Sequence, residues 1–187
     1  GAFGVGLGIA GFARLMRSTI GVITDFDSAI ANLGAISQAT GVELDSLKNN
    51  ALELGETTRF TATEVAGLQT ELAKLGFTTP QIIQSTESIL NLASATGSDL
   101  SAAAKLAGST MRAFGLEATE MERVTSVLGV ATTKSGLNME FLETAMSKVA
   151  PVSKALGFSI EESTALLGTL ANSGFDASTA ATSTRNI

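Results

Sequence analysis

The chain has 187 residues, with 12 basic and 18 acidic side chains and a net charge of -6. That balance argues against a duplex-binding domain, where phosphate neutralisation calls for an excess of Lys and Arg, and no sequence-specific nucleic-acid contact is expected. His and Cys are both absent. Imidazole bases, His-dependent triads, the usual zinc sites, thiolate chemistry and disulfides therefore drop out together.

The apolar fraction is 44%, aromatics make up only 5%, and there is no Trp or Tyr. The apolar residues are mainly Ala, Leu, Val and Ile, which suit close helix packing better than strands. Two Pro permit long helical runs. A chain of this length buries roughly 70% of its unfolded surface when it folds compactly.

The first stretch, Gly1 to Ala13, is an unbroken apolar run, interrupted by Arg14 and Arg17 and resumed from Ile20 to Ile23. Before Arg14 it is too short for a membrane span, which needs about 20 residues, and it lacks a signal-peptide leader. Gly6-Leu7-Gly8-Ile9-Ala10-Gly11 fits the G-x-G-x-x-G pattern. A dinucleotide loop, with Asp25 or Asp27 on a ribose, requires a preceding strand and a parallel sheet that the sequence does not offer. Gly4 and Gly8 fit a small-residue helix face instead. Residues 1–24 are therefore read as a Gly-rich apolar helical segment, distinct in composition from residues 25–187.

From about Asp25 the chain reads as helices with apolar residues at three- and four-residue steps. The stripes are Leu44/Leu47/Ala51/Leu54, then Val65/Leu68/Leu72/Leu75, then Leu100/Ala104/Ala107/Met111/Phe114. Met121/Val124/Leu128/Ala131 and Leu142/Ala145/Val149/Val152/Leu156 follow. Thr61-x-x-Glu64, Thr119-x-x-Glu122 and Ser159-x-x-Glu162 have the capping-box form, and Thr79-Pro80 reads as a cap followed by proline at the first helical position. Helix stops are expected at Gly41-Val42, Gly76-Phe77, Gly115-Leu116, Gly157-Phe158 and Gly174-Phe175, where a left-handed glycine turns the next apolar residue back onto the helix just ended. These signals predict helices near 2–38, 44–54, 62–75, 80–96, 99–114, 120–134, 139–156, 160–173 and from 177 onward. The expected fold is all-α: short helices, antiparallel to their sequence neighbours because the connections are short, joined by Gly-terminated turns and preceded by the Gly-rich helix. The helix-turn unit recurs only weakly, without a strict solenoid period.

The remaining chemistry is carboxylates, Lys, Ser and Thr. Glu161-Glu162 and Glu117/Glu120/Glu122 have the composition of a carboxylate pair or a divalent-ion site. All of them also fall at predicted helix starts, where the macrodipole favours negative charge. Lys148 and Lys154 lie among serines, as a Ser-Lys nucleophile requires, but sit in the latter half of a helix, where cations are expected in any case. Asp45–Lys48, Glu71–Lys74 and Glu120–Arg123 are spaced as helical ion pairs. Met111 and Met139 fit core or turn packing. No catalytic residue, metal ligand or cofactor is assigned.

Several words of the sequence, in order, resemble one family. They are Leu54-Gly55-Glu56-Thr57-Thr58-Arg59-Phe60-Thr61-Ala62-Thr63-Glu64-Val65-Ala66, Leu72-Ala73-Lys74-Leu75-Gly76 with Pro80-Gln81-Ile82, and Leu90-Asn91-Leu92-Ala93-Ser94-Ala95 with Asp99-Leu100. The stretch from Phe114-Gly115-Leu116 to Val149-Ala150-Pro151-Val152 comes next, followed by Leu156-Gly157-Phe158-Ser159-Ile160-Glu161-Glu162, Leu170-Ala171-Asn172-Ser173-Gly174 and Thr182-x-x-Arg185. Residues 25–187 thereby resemble the core region of the phage tail tape measure family, departing from it at Ser126, where Asp is frequent, and at Ala177 and Ala181, where Gly is frequent.

The resemblance implies an internal piece of a long helical virion protein in the lumen of the tail tube, encoded by a phage or a prophage. Such a protein sets tail length, templates tube assembly, and leaves during genome ejection, in some cases into the host envelope. Its implied partners are the tail tube protein, tail assembly chaperones, baseplate and tail-tip proteins, and further copies of itself. A membrane-active, pore-forming or toxin-like helical protein is the competing reading, supported by the apolar start and a mean hydropathy of +0.31. An enzyme is not expected.

Overall fold

The computed structural model describes residues 9–186, with side chains placed from Ile23 onward except at Arg185. Gly1 to Gly8, and with them the first half of the G-x-G-x-x-G motif, lie outside the described residues. The described chain is all-α: α1 (Ile9–Ser37), α2 (Val42–Thr57), α3 (Ala62–Lys74), α4 (Thr79–Thr96), α5 (Leu100–Phe114), a 3-10 turn (Ala118–Glu120), α6 (Met121–Lys134), α7 (Met139–Leu156), α8 (Ile160–Asn172) and α9 (Ala177–Arg185). The compositional division at residue 24 falls inside α1.

Side-chain caps set where these helices begin. Thr61 accepts from the Glu64 amide while the Glu64 carboxylate accepts from the Thr61 amide at 2.8 Å, and Ser159 and Glu162 do the same. Asp99 accepts from Ser101 and Ala102, Asn138 from Phe141, and Asp176 from Ser178 and Thr179. Two expected caps are displaced. The start of α4 is one residue early: Thr78 is the cap, its amide donating to Gln81 Oε1 at 2.9 Å, and Pro80 sits inside the first turn. At α6 the 3-10 turn comes first, and the Glu117 amide donates to Glu120 Oε2, so Thr119–Glu122 does not form the expected box.

Hydrogen bonds at the helix ends reach back across the last turn. Phe77, Leu116, Phe158 and Phe175 donate their amides to the carbonyls of Leu72, Met111, Ser153 and Leu170, and the glycine before each donates to the next carbonyl along. Gly41 behaves differently: α1 stops at Ser37 with Gln38 at φ 59°, and Gly41 precedes the first residue of α2. Val42 consequently begins a helix and is exposed instead of folding back onto α1. Pro151 lies within α7 on its exposed side, where the amide it lacks leaves a carbonyl open to water.

The closest helix pairs are not sequence neighbours. Apart from α2 on α3, the most extensive contacts join helices two apart: α1 with α3, α3 with α5, α5 with α7, α7 with α9, and α4 with α6. Odd and even helices thus form two layers. The capping residues of the odd layer, Thr61, Asp99, Asn138 and Asp176, recur every 38 or 39 residues. The fourth residue after each cap is Val65, Ala103, Leu142 or Ala180, and all four are fully buried. The eighth is Gln69, Ala107, Met146 or Thr184, all buried. The architecture is therefore a two-helix repeat, a regularity hidden in the sequence by the variety of residues at equivalent positions.

This layering explains a second departure from expectation. Phe77 is 6% exposed, yet Phe158 and Phe175 are 43% and 44% exposed. Phe77 is covered by α5, two helices on: a Cβ on Gly108 would lie 3.7 Å from the ring, and the Arg112 guanidinium stands 5.7 Å from its centroid. Leu137, which precedes α7 as Phe175 precedes α9, is covered by α8 near Gly168. The cover comes from the next helix of the same layer. For Phe158 the positions of α9 matching Gly108 and Arg112 begin at Arg185, at the edge of the described residues.

Buried polar groups run through the core. Thr70, Thr86, Thr125, Thr164 and Thr184 return their hydroxyls to the carbonyl four residues back, which satisfies them without a partner from another helix. Gln69 bridges α3 to α2 through Leu47 O and Asn50 Oδ1. The hydroxyl of Ser85 is buried with no partner.

Three stability measurements follow. Gly157 has φ 81° with nothing within 4 Å of an added Cβ, so Gly157→Ala isolates backbone strain and should cost about 1 kcal/mol in urea unfolding. Gly55 is helical, but its Cβ would meet the Ala62 amide nitrogen at 2.6 Å. Gly55→Ala should therefore destabilise by about 1–3 kcal/mol despite its better helix propensity, and no loss would contradict the close α2–α3 approach. Ser85→Ala removes an unpaired buried hydroxyl and should raise the unfolding midpoint, by about 1 kcal/mol in free energy.

Candidate functional site

The residues with candidate chemistry are spread along the array and tied into its joints. Arg123 on α6 makes a two-pronged contact with Glu161 at the start of α8, Nε to Oε1 at 2.7 Å and Nη2 to Oε2 at 2.8 Å, and its Nη1 reaches Glu120 at 2.9 Å. The hydrogen bonds from Arg123 hold the Glu161 carboxyl below its ordinary range, and the same contact raises the guanidinium. Glu162 is lowered chiefly by the Ser159 amide, and Asp176 chiefly by the Thr179 hydroxyl. These shifts favour the charged form, opposite to what a carboxyl general acid at neutral pH needs. Glu161 and Glu162 are thus separated in role, one crossing to α6 and the other closing a cap.

The lysines are likewise structural in placement. Lys148 Nζ donates to Ser178 Oγ at 2.9 Å, joining α7 to α9 across an exposed contact. Lys154 extends over the turn at Gly115, where an added Cβ would collide with its Nζ. Glu71–Lys74 and Glu120–Arg123 form as expected at 2.8 and 2.9 Å. Lys48 does not pair with Asp45; its nearest carboxylate is Asp27 on α1 at 3.8 Å, because the α1–α2 junction brings Asp27 closer. Met111 is buried, and Met139 packs against the core. Among the described residues no three His, Cys, Asp or Glu side chains group as metal ligands, and no helix is long and apolar enough to cross a membrane.

Two apolar grooves lie between helices of the even layer. A groove of about 520 Å³ runs between α6 and α8, lined by Val127, Val130, Ala131, Ala165 and Gly168, with Lys134 and Glu161 among its few charged residues. Another, of about 540 Å³, lies between α2 and α4 beside Val42, Pro80 and Ile83. Both are mainly apolar; in the first, the Ser135 and Thr164 hydroxyls donate to carbonyls of their own helices and Glu161 is held by Arg123. The grooves arise where α2/α4 and α6/α8 pack less closely than α4/α6, a feature that apolar stripes alone do not reveal.

Residues 48–187 match the family model described as phage-related minor tail protein. Over 97% of its length the chain is 35% identical to the tape measure protein of Pneumococcus phage Dp-1, of which it spans 16%. It is 30% identical over its full length to the probable tape measure protein of Escherichia phage P2, of which it spans 23%. No solved structure matches. A two-layer helical array whose charged groups serve caps and joints is matched along most of its length by a tail protein family and by two proteins named as tape measures: the chain belongs to the phage tail tape measure family.

Proposed function

We propose that the protein containing this segment sets the length of a phage tail, acting in the lumen of the tail tube as the template on which tube protein polymerises. The observation that carries the reading is the similarity, along nearly the whole chain, to two proteins named as tape measures. The all-helical architecture and the absence of a converging reactive site among the described residues support it. In this reading the partners are the tail tube protein, assembly chaperones, baseplate and tail-tip proteins, and other copies of the same protein. Residues 1–24 form a Gly-rich segment of separate role, and release toward the host envelope accompanies genome ejection.

An in-frame deletion in the parent gene tests this. Helix rises 1.5 Å per residue, so removing about 40 residues of extended helix outside this segment should shorten tails by about 60 Å and leave their diameter unchanged. Electron microscopy of the tails measures both. Unaltered length would refute the ruler role and shift the weight to the membrane-active alternative, for which leakage of liposomes by the purified protein is the direct assay.

A further inference from the structure

We propose that this segment is stored folded in the tail, as the two-layer array, and therefore adds only about one helix spacing of length per 38-residue unit. The inference rests on the tape measure reading and limits it: tail length is then encoded elsewhere in the parent protein. Helices packed side by side lie about 8–10 Å apart, whereas 38 residues of continuous helix span about 57 Å. The same unit thus counts roughly six-fold less when folded.

The sequence opposes the extended alternative at every turn. A continuous helix from α3 to α9 requires Gly76, Gly97, Gly115, Gly157 and Gly174 to leave their positive φ angles and become interior helical glycines. It also removes the caps at Asp99, Asn138, Ser159 and Asp176, whose side chains have no such role inside a helix. Extension exposes Val65, Leu72, Leu106, Leu142 and Val149, which the odd layer buries together. Close approaches made by glycine, such as Gly108 against Leu72 and Leu75, serve only the layered form.

A disulfide can report the folded form inside the virion. An ideal Cβ on Gly168 of α8 lies 3.2 Å from the Ser135 Cβ at the end of α6, just short of the roughly 3.5–4.5 Å found in disulfides, and the chain has no cysteine of its own. In a continuous helix the same positions stand about 50 Å apart. Phage carrying Ser135→Cys with Gly168→Cys, treated intact with diamide and mapped without reduction, should contain the 135–168 link in most copies, while either single variant should not. Virions in which the link is absent would overturn the proposal.

A deletion gives a second reading. Removing residues 100–138 takes out α5, the 3-10 turn and α6 and joins the Asp99 cap to Met139, so one capping residue replaces another. Tails should shorten by about 8–10 Å, and a loss near 59 Å would overturn the proposal. An equal deletion outside the segment is the control: if it leaves tail length unchanged, the ruler reading fails, while the disulfide still decides whether the segment is folded.

Discussion

The packing of each helix against the helix two places along is the constraint on which the rest of the structure depends. It requires that successive odd helices start in the same register, because only then do the fourth and eighth residues after each cap meet in one core. Thr61, Asp99, Asn138 and Asp176 provide that register with three chemically different side chains, each an oxygen acceptor for first-turn amides. The apolar core is thereby positioned by polar groups at its edge. Burial supplies most of the free energy, at about 25 cal/mol per Å² of apolar surface, but the caps decide which surface is buried.

The charged groups follow the same logic. Arg123 reaches from α6 to Glu161 on α8, Lys148 from α7 to Ser178 on α9, and Lys48 toward Asp27. Except for Lys48, which links adjacent helices, these contacts span a layer. At their exposure each contributes about 0–1 kcal/mol, enough to favour one alignment between helices but not to drive assembly. Carboxylates that look in sequence like a catalytic or metal-binding pair are used singly, one at a cap and one at a joint.

Much of the fold was legible beforehand because its punctuation is local. Capping boxes at Thr61 and Ser159 and the sites of most helix boundaries depend on residues within one turn of each other. What was not legible is long-range. Adjacent helices joined by short turns suggested neighbour packing, whereas the closest pairs are mostly two apart, and nothing in a single stripe tells which helix will cover it. The aromatic residues after the glycine stops show the same limit: each amide folds back as glycine dictates, but Phe77 is buried because α5, some thirty residues further on, covers it, whereas Phe158 and Phe175 stay partly exposed. The repeat was obscured because equivalent positions hold Val, Ala, Leu and Ala, or Gln, Ala, Met and Thr, which share size limits and burial but no chemical identity. The family resemblance was legible through ordered words; the grooves of the even layer, which arise from differences in helix spacing, were not.

Side-by-side stacking has a mechanical consequence. Each unit is held mainly by the units before and after it, so the array behaves as a chain of nearest-neighbour couplings and not as one block. A pull along the chain from one end loads the terminal contact first and leaves distant contacts nearly unstressed. When α9 separates from α7, the α5–α7 contact becomes the new terminus and the process repeats. The buried threonines, bonded within their own helices, do not hold one helix to the next, so each step breaks mainly apolar contact and few hydrogen bonds. Under tension such an array yields as a sawtooth of small, similar events, releasing chain one helix pair at a time.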